Sequence, residues 1–227
     1  MSSYQQYTRH LIAIDCIIFG FDGEDLKGLF INRKLEPQKG NLSLMGGFVG
    51  ENESVDEAAE RVLFELTGLS NVYMEQLHCY GAPNRDTFSR VVSIAYFALI
   101  NIADYNVAIL KEHNAVWITL KQLPELIFDH RQMVEDAKEK LKQKVANHPI
   151  GFALLPSKFT FKQLQALYEA IYETPLDKRN FTRKISSIDI IKKLDEKEKT
   201  SSKKGSFLYI FDEEKYKLLE KEGLKFI

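Results

Sequence analysis

Apolar and polar positions along this chain follow two periods, and they predict its elements. Residues 10–20 (HLIAIDCIIFG) form a β-branched, apolar run that predicts a central strand. Asp22-Gly23-Glu24-Asp25 predicts a turn, and residues 27–33 the returning strand of a hairpin. Residues 37–41 read as a loop and 42–48 as a further strand. A helical period then sets in. Val55, Ala58, Ala59, Val62, Leu63 and Leu66 recur on one face, Ser54 with Glu57 makes a capping box, and Gly68 ends the helix. Strands are predicted over 71–80, 90–100 and 115–120, with a polar loop over 81–89. Asp129 is placed to cap a helix over 131–145, whose Val134, Ala137, Leu141 and Val145 share a face. Strands around one helix with a second closing helix make an α/β/α sandwich on a mixed sheet.

A junction with two prolines and a glycine follows at 147–156. Thr160 with Gln163 is a second capping box, opening a helix to about Tyr172 that carries Phe161, Leu164, Leu167, Tyr168 and Ile171 as its apolar stripe. Thr174-Pro175 predicts the start of another helix over 176–186. Phe181 and Ile185 face inward on it. Arg179, Arg183 and Ser186 point away, Asn180 and Thr182 flank that outer face, and Lys178 and Lys184 lie at its sides. Arginine and asparagine are the side chains that read guanine and adenine edges, and lysines suit phosphates. Strands at 188–194 and 205–211 enclose a charged loop, 195–204, whose Lys199, Lys203 and Lys204 are candidate backbone or minor-groove contacts. A last helix is predicted over 212–223. Two helices across a short turn, then a β-hairpin, make a winged helix-turn-helix. The expected division is residues 1–148 and 149–227.

Charge supports that division. Residues 1–150 carry 15 Lys/Arg against 20 Asp/Glu, and residues 151–227 carry 16 against 12. The second half is therefore the basic one, which points to a polyanion partner. Cys16 and Cys79 each sit in an apolar run and are expected as buried thiols in a reducing cytoplasm. No signal peptide or membrane span is visible. The five histidines show no metal-ligand spacing, so no cofactor is expected.

The stretch from Gly46 to Leu69 resembles the signature box of the Nudix hydrolases, a glycine loop and helix that hold the metal of a pyrophosphohydrolase. Gly47, Glu53, Arg61, Gly68 and Leu69 stand at the box positions. The three remaining metal-binding positions are Val62, Glu65 and Leu66, so two of three carboxylates are apolar. One carboxylate will not hold a catalytic Mg²⁺ cluster. The resemblance implies a Nudix fold kept for binding, with Glu53 and Arg61 paired to brace the loop. Further runs are similar to one branch of that superfamily, the Nudix-related transcriptional regulators: Tyr73-x-Glu-Gln-Leu, Gly81-x-Pro-x-Arg-Asp, residues 90–99, Phe128-Asp129-His130, and Pro175-Leu-Asp-Lys-Arg-Asn-Phe.

The resemblance implies a ligand-responsive repressor that binds a pseudo-palindromic duplex operator as a homodimer, and is no enzyme. Ser43, Gly46, Gly47, Asp15, Glu65, Arg85 and Asp86 are the expected effector contacts; Asp15 is also readable as a purely structural partner. A pocket without metal carboxylates favours a neutral sugar such as arabinose or xylose. The alternatives are a regulator of NAD metabolism sensing ADP-ribose, an active hydrolase of ADP-ribose or a sugar nucleotide, and a scaffold whose tail binds protein.

Overall fold

Seven strands make one sheet and three make another in this computed structural model, which describes residues 3–34, 36–104, 112–199 and 205–222. Strands β1 (Leu11–Phe21), β2 (Leu26–Asn32), β3 (Leu42–Ser43) and β4 (Met45–Phe48) lead into helix α1 (Val55–Thr67). Then come β5 (Tyr73–Tyr80), β6 (Val91–Leu99), β7 (Ala115–Thr119) and helix α2 (His130–Asn147). The large sheet runs β3-β2-β1-β6-β5, with β4 on β1 and β7 on β2. The chain contacts divide into two units. One takes in Met1–Ile18, Gly28–Ala98 and Tyr105–Ala137; the other takes in Phe19–Lys27, Leu99–Asp104 and Lys138–Ile227.

In the first unit β1 is buried on both faces from Ile14 onward. Successive residues of a strand point to opposite sides. Cys16 faces α1, its thiol 4.0 Å from the Ala59 carbonyl, while Asp15 faces His130 at the start of α2. One helix thus lies over each face of the strand, as the sandwich reading requires. Ser54 and Glu57 close their reciprocal cap on α1, and Gly68 ends it with φ of 71°. Val134 and Ala137 are fully buried on the part of α2 that belongs to this unit, and Leu141 and Val145 on the part that belongs to the other.

In the second unit, β8 (Phe159–Thr160) precedes α3 (Phe161–Tyr172) and α4 (Lys178–Ile188). Then follow β9 (Ile191–Glu198), β10 (Ser206–Phe211) and α5 (Glu213–Lys221), with the small sheet ordered β8-β10-β9. This is a winged helix. Its core stacks Phe152 on Phe211 at 4.6 Å and sets Tyr168 against Phe181 at 5.5 Å, beside the buried Leu164, Leu167 and Ile185. Each such side chain contributes about 1.5–3 kcal/mol.

Several expectations are corrected. The strand over 42–48 is two strands: β3 pairs with β2 and β4 with β1, so the chain changes partner at Leu44. The second helix of the pair does not begin at Pro175. Glu169 accepts the Leu176 N–H at 2.9 Å and holds the turn extended, and Asp177 caps α4 by accepting the Asn180 N–H at 2.8 Å. The wing strand does not start at 188 or stop at 194. Ile188 closes α4, and β9 runs on through Glu198, paired with Ser206. Cys79 is exposed, because β5 ends the sheet order and keeps solvent contact along much of its length. Asp129 gives its carboxylate to Arg85 rather than to a helix cap. Among the described residues no helix is long and apolar enough to cross a membrane.

Candidate functional site

A cleft of about 340 Å³ opens in the first unit where β1, β4, the end of β2 and the start of α2 meet. Of the expected effector contacts, Asp15, Ser43, Gly46, Gly47, Arg85 and Asp86 line it. Glu65 does not. It is exposed and turned to Arg61 at 3.3 Å, and its neighbour Leu66 faces the cleft instead. The helical period explains this: one residue is about 100° on the helix, enough to exchange a charged side chain for an apolar one at the wall.

Beneath the cleft lies a buried polar network. Ser93 donates to Asp15 Oδ2 at 2.6 Å, and Arg85 Nη2 lies 3.5 Å from the same oxygen. Arg85 holds Asp129 with two parallel hydrogen bonds, Nε to Oδ2 at 2.9 Å and Nη2 to Oδ1 at 2.7 Å. Burial works against the Arg85 charge, but the Asp129 bonds outweigh it and raise its pKa. His130 accepts the Leu44 N–H at Nδ1 (3.1 Å), which leaves the proton on Nε2, facing Asp15 Oδ1 at 3.6 Å. Burial lowers the His130 pKa, although Asp15 opposes the shift, and the ring is neutral. Gly46 is required here, since a Cβ would sit 2.6 Å from Asp15 Oδ1 and 2.7 Å from the Ile14 carbonyl. Gly47 leaves room for Val62, whose Cγ2 lies 3.0 Å from where a Cβ would be.

The box residues do not fit a metal. Glu53 is spent on the loop: Arg61 donates to both its oxygens at 2.9 and 2.7 Å, the Gly50 N–H donates at 2.7 Å, and Arg61 also bonds the Phe48 carbonyl at 3.0 Å. These bonds, the Arg61 pair first, hold the Glu53 carboxyl down at about 2. Val62 is buried and apolar, and Leu66 is apolar. Among the described residues no group of His, Cys, Asp and Glu is arranged to hold a cation.

What the cleft does carry is basic. Arg33 and Lys34 join Arg85 around it, with His113 and the neutral His130, against Asp15 and Asp86. Sequence reading missed all four, although Arg33 ends a predicted strand, Lys34 follows it, and His130 lies within the quoted Phe128-Asp129-His130 run. A larger cleft, about 680 Å³, lies along α1, and its charged lining is mostly acidic (Asp56, Glu57 and Glu60 beside Arg61). That sign does not suit an anionic ligand.

On the second unit, α4 buries Phe181 and Ile185 and turns its basic side outward. Lys178, Arg179, Asn180, Arg183, Lys184 and Ser186 are exposed and Thr182 is half-buried. Arg183 Nη2 donates to Asn180 Oδ1 at 2.9 Å, which aligns the two side chains on one face. Lys199 is exposed just beyond β9; Lys203 and Lys204 lie outside the described residues.

Residues 9–137 match the family model of the NUDIX domain, and residues 151–211 match that of the NrtR DNA-binding winged helix domain. The chain belongs to the Nudix-related transcriptional regulators. It is 33% identical over 217 residues to the ADPR responsive transcriptional repressor NtrR of Acinetobacter baylyi, covering 93% of this chain and 86% of that one. The crystal structure of Shewanella oneidensis NrtR complexed with a 27mer DNA superposes with a TM-score of 0.81 at 28% identity, covering 91% of this chain and 95% of that one. The NUDIX domain of the same Shewanella protein, solved with ADP ribose, matches at 30% identity and a TM-score of 0.52, covering 62% of this chain and 94% of that one. An ADP-ribose pyrophosphatase of Methanocaldococcus jannaschii is 37% identical over 136 residues, 60% of this chain and 78% of that one. The family is thus a regulator's, and its first domain has enzyme relatives.

Proposed function

We propose that this regulator is a transcriptional repressor that senses ADP-ribose, with residues 1–148 as the effector domain and 149–227 as the DNA-binding domain. The observation that carries the effector is the basic lining of the 340 Å³ cleft. The expectation of a neutral sugar rested on the premise that a diphosphate needs a metal. Arg33 and Lys34 remove that premise, because guanidinium and ammonium groups pair with phosphate oxygens directly. The exposed Phe48 and the half-buried Phe128 on the same lining supply apolar surface for a base or ribose. The relatives named for ADP-ribose support this reading over arabinose or xylose.

The Nudix domain is used for binding rather than turnover, since Glu53 is committed to Arg61 and the positions of two box carboxylates are Val62 and Leu66. Arg179, Arg183 and Asn180 read the major groove, with Lys178, Lys184 and Lys199 on phosphates. The protein acts as a homodimer, because one short helix buries too little to specify a genomic site. The test is fluorescence anisotropy on duplex DNA from upstream of its own gene, titrated in parallel with ADP-ribose, L-arabinose and D-xylose. Release by ADP-ribose alone is expected. Release by a sugar, or by none of the three, overturns the effector assignment. Formation of AMP from ADP-ribose with Mg²⁺ or Mn²⁺ overturns the non-catalytic reading.

A further inference from the structure

The wing carries a cationic feature below its tip. From Phe207 to Tyr209 strand β10 advances two residues, while the paired stretch of β9 goes back four, from Lys197 to Lys193. The surplus is a bulge in β9, and bulges re-aim side chains. Here the bulge turns two lysines onto one ring: Lys193 Nζ lies 3.5 Å and Lys197 Nζ 4.5 Å from the Phe207 centroid. The ring is 37% exposed and both lysines are exposed. Gly205 makes the return possible. Its φ is +71°, and a Cβ would stand 3.1 Å from both the Glu198 carbonyl and Lys197 Cβ.

Neighbouring charges are already matched. Lys192 pairs with Asp212 at 2.7 Å, and Glu196 with Lys158 at 2.6 Å. Among the described residues Lys193 and Lys197 meet no carboxylate within salt-bridge distance, and Asp195, exposed inside the bulge, meets no cation. A ring face attracts an ammonium group weakly and leaves N–H donors directed outward. Two like charges gathered on one ring repel each other, and an anion that meets both relieves the repulsion.

We propose that Lys193 and Lys197, gathered on Phe207 by the bulge, form a clamp for the phosphate backbone of duplex DNA. This is a contact from the stem of the wing, separate from α4 and from the tip lysines, and it rests on the DNA-binding reading above. It contributes affinity and salt dependence but no base preference.

The experiment is anisotropy with full-length protein and labelled duplex from upstream of its own gene, at salt from roughly 50 to 200 mM. Each phosphate contact contributes about 0.9 to the slope of log K against log salt. Lys193→Ala/Lys197→Ala therefore shallows the slope by about 1.8, so wild type loses roughly tenfold more affinity across that range than the variant does. Its melting temperature and ADP-ribose binding stay at wild-type values. Asp195→Asn, which adds no contact, tightens binding at low salt. A wild-type slope in the double lysine variant, with Arg183→Ala still weakening binding, overturns the clamp alone. Absence of salt-dependent binding in wild type overturns the clamp together with the DNA reading beneath it.

Discussion

Replacing Arg85 by Met tests the network under the effector cleft. The Arg85 side chain is 4% exposed, and its planar fork holds Asp129, 25% exposed, while its Nη2 approaches Asp15, 10% exposed. Methionine fills similar space but leaves both carboxylates facing an apolar group. Removing one partner of a buried pair costs about 3–5 kcal/mol, because the other charge stays behind without compensation. Asp129 keeps some contact with water, and Asp15 keeps Ser93, so the lower end applies, about 3 kcal/mol. For a chain of this size each kcal/mol moves the melting temperature by about 2–4 °C, so a fall of about 6–12 °C is expected. The assay is thermal unfolding followed by the fluorescence of Trp117, the single tryptophan, which lies in the same unit. Adding Asp129→Asn to Arg85→Met removes one stranded charge and restores part of the loss. A fall below about 1 kcal/mol, or a double variant no more stable than Arg85→Met alone, refutes the reasoning.

Three further outcomes are expected. His130 is held neutral by burial, so its folded pKa lies below the ordinary 6.5 and the unfolded chain takes up the proton first; stability is complete above 6.5, falls as pH drops through it, and levels only below the folded value, and His130→Asn flattens that part of a melting-temperature profile. Arg183→Ala costs about 1–3 kcal/mol in affinity for the upstream duplex and relaxes preference at one base position, read by anisotropy against single-base variants; a uniform loss across sequences would place Arg183 on phosphate instead. Asp177→Ala removes the cap of α4 and costs about 1 kcal/mol in urea unfolding, whereas Thr174→Ala, outside that helix, leaves the midpoint almost unchanged.

The fold was legible where local chemistry decides it. The Ser54/Glu57 and Thr160/Gln163 boxes, the Gly68 terminus and the α2 stripe were all readable, because each depends on residues within a few positions. Misplaced boundaries fall where a distant group decides. Glu169 reaches forward seven residues to hold Leu176, and that bond moves the start of α4 to Asp177. The second half of β9, residues 195–198, reads as a charged loop, since the pairing that makes it a strand comes from Ser206 and Phe207. In the cleft, Ser43, Gly46 and Gly47 were expected from the strand and loop of the box, and Asp15, Arg85 and Asp86 from the family resemblance. The further lining by Arg33, Lys34, His113 and His130 was not, because these residues come from segments up to a hundred residues apart, and only the fold gathers them.

The close approach of Val62 to Gly47 has a bearing on what mutation can do with this domain. At 2% exposure Val62 is part of the core, and its methyl occupies the space that the glycine leaves open. A glutamate there, arriving by itself, brings charge into a dry site while position 66 is still leucine and no second carboxylate shares a cation with it. Selection acting one codon at a time meets the loss of stability before any gain in turnover. A library screened for metal-dependent hydrolysis would therefore vary both positions together, since a single-site scan meets each glutamate alone.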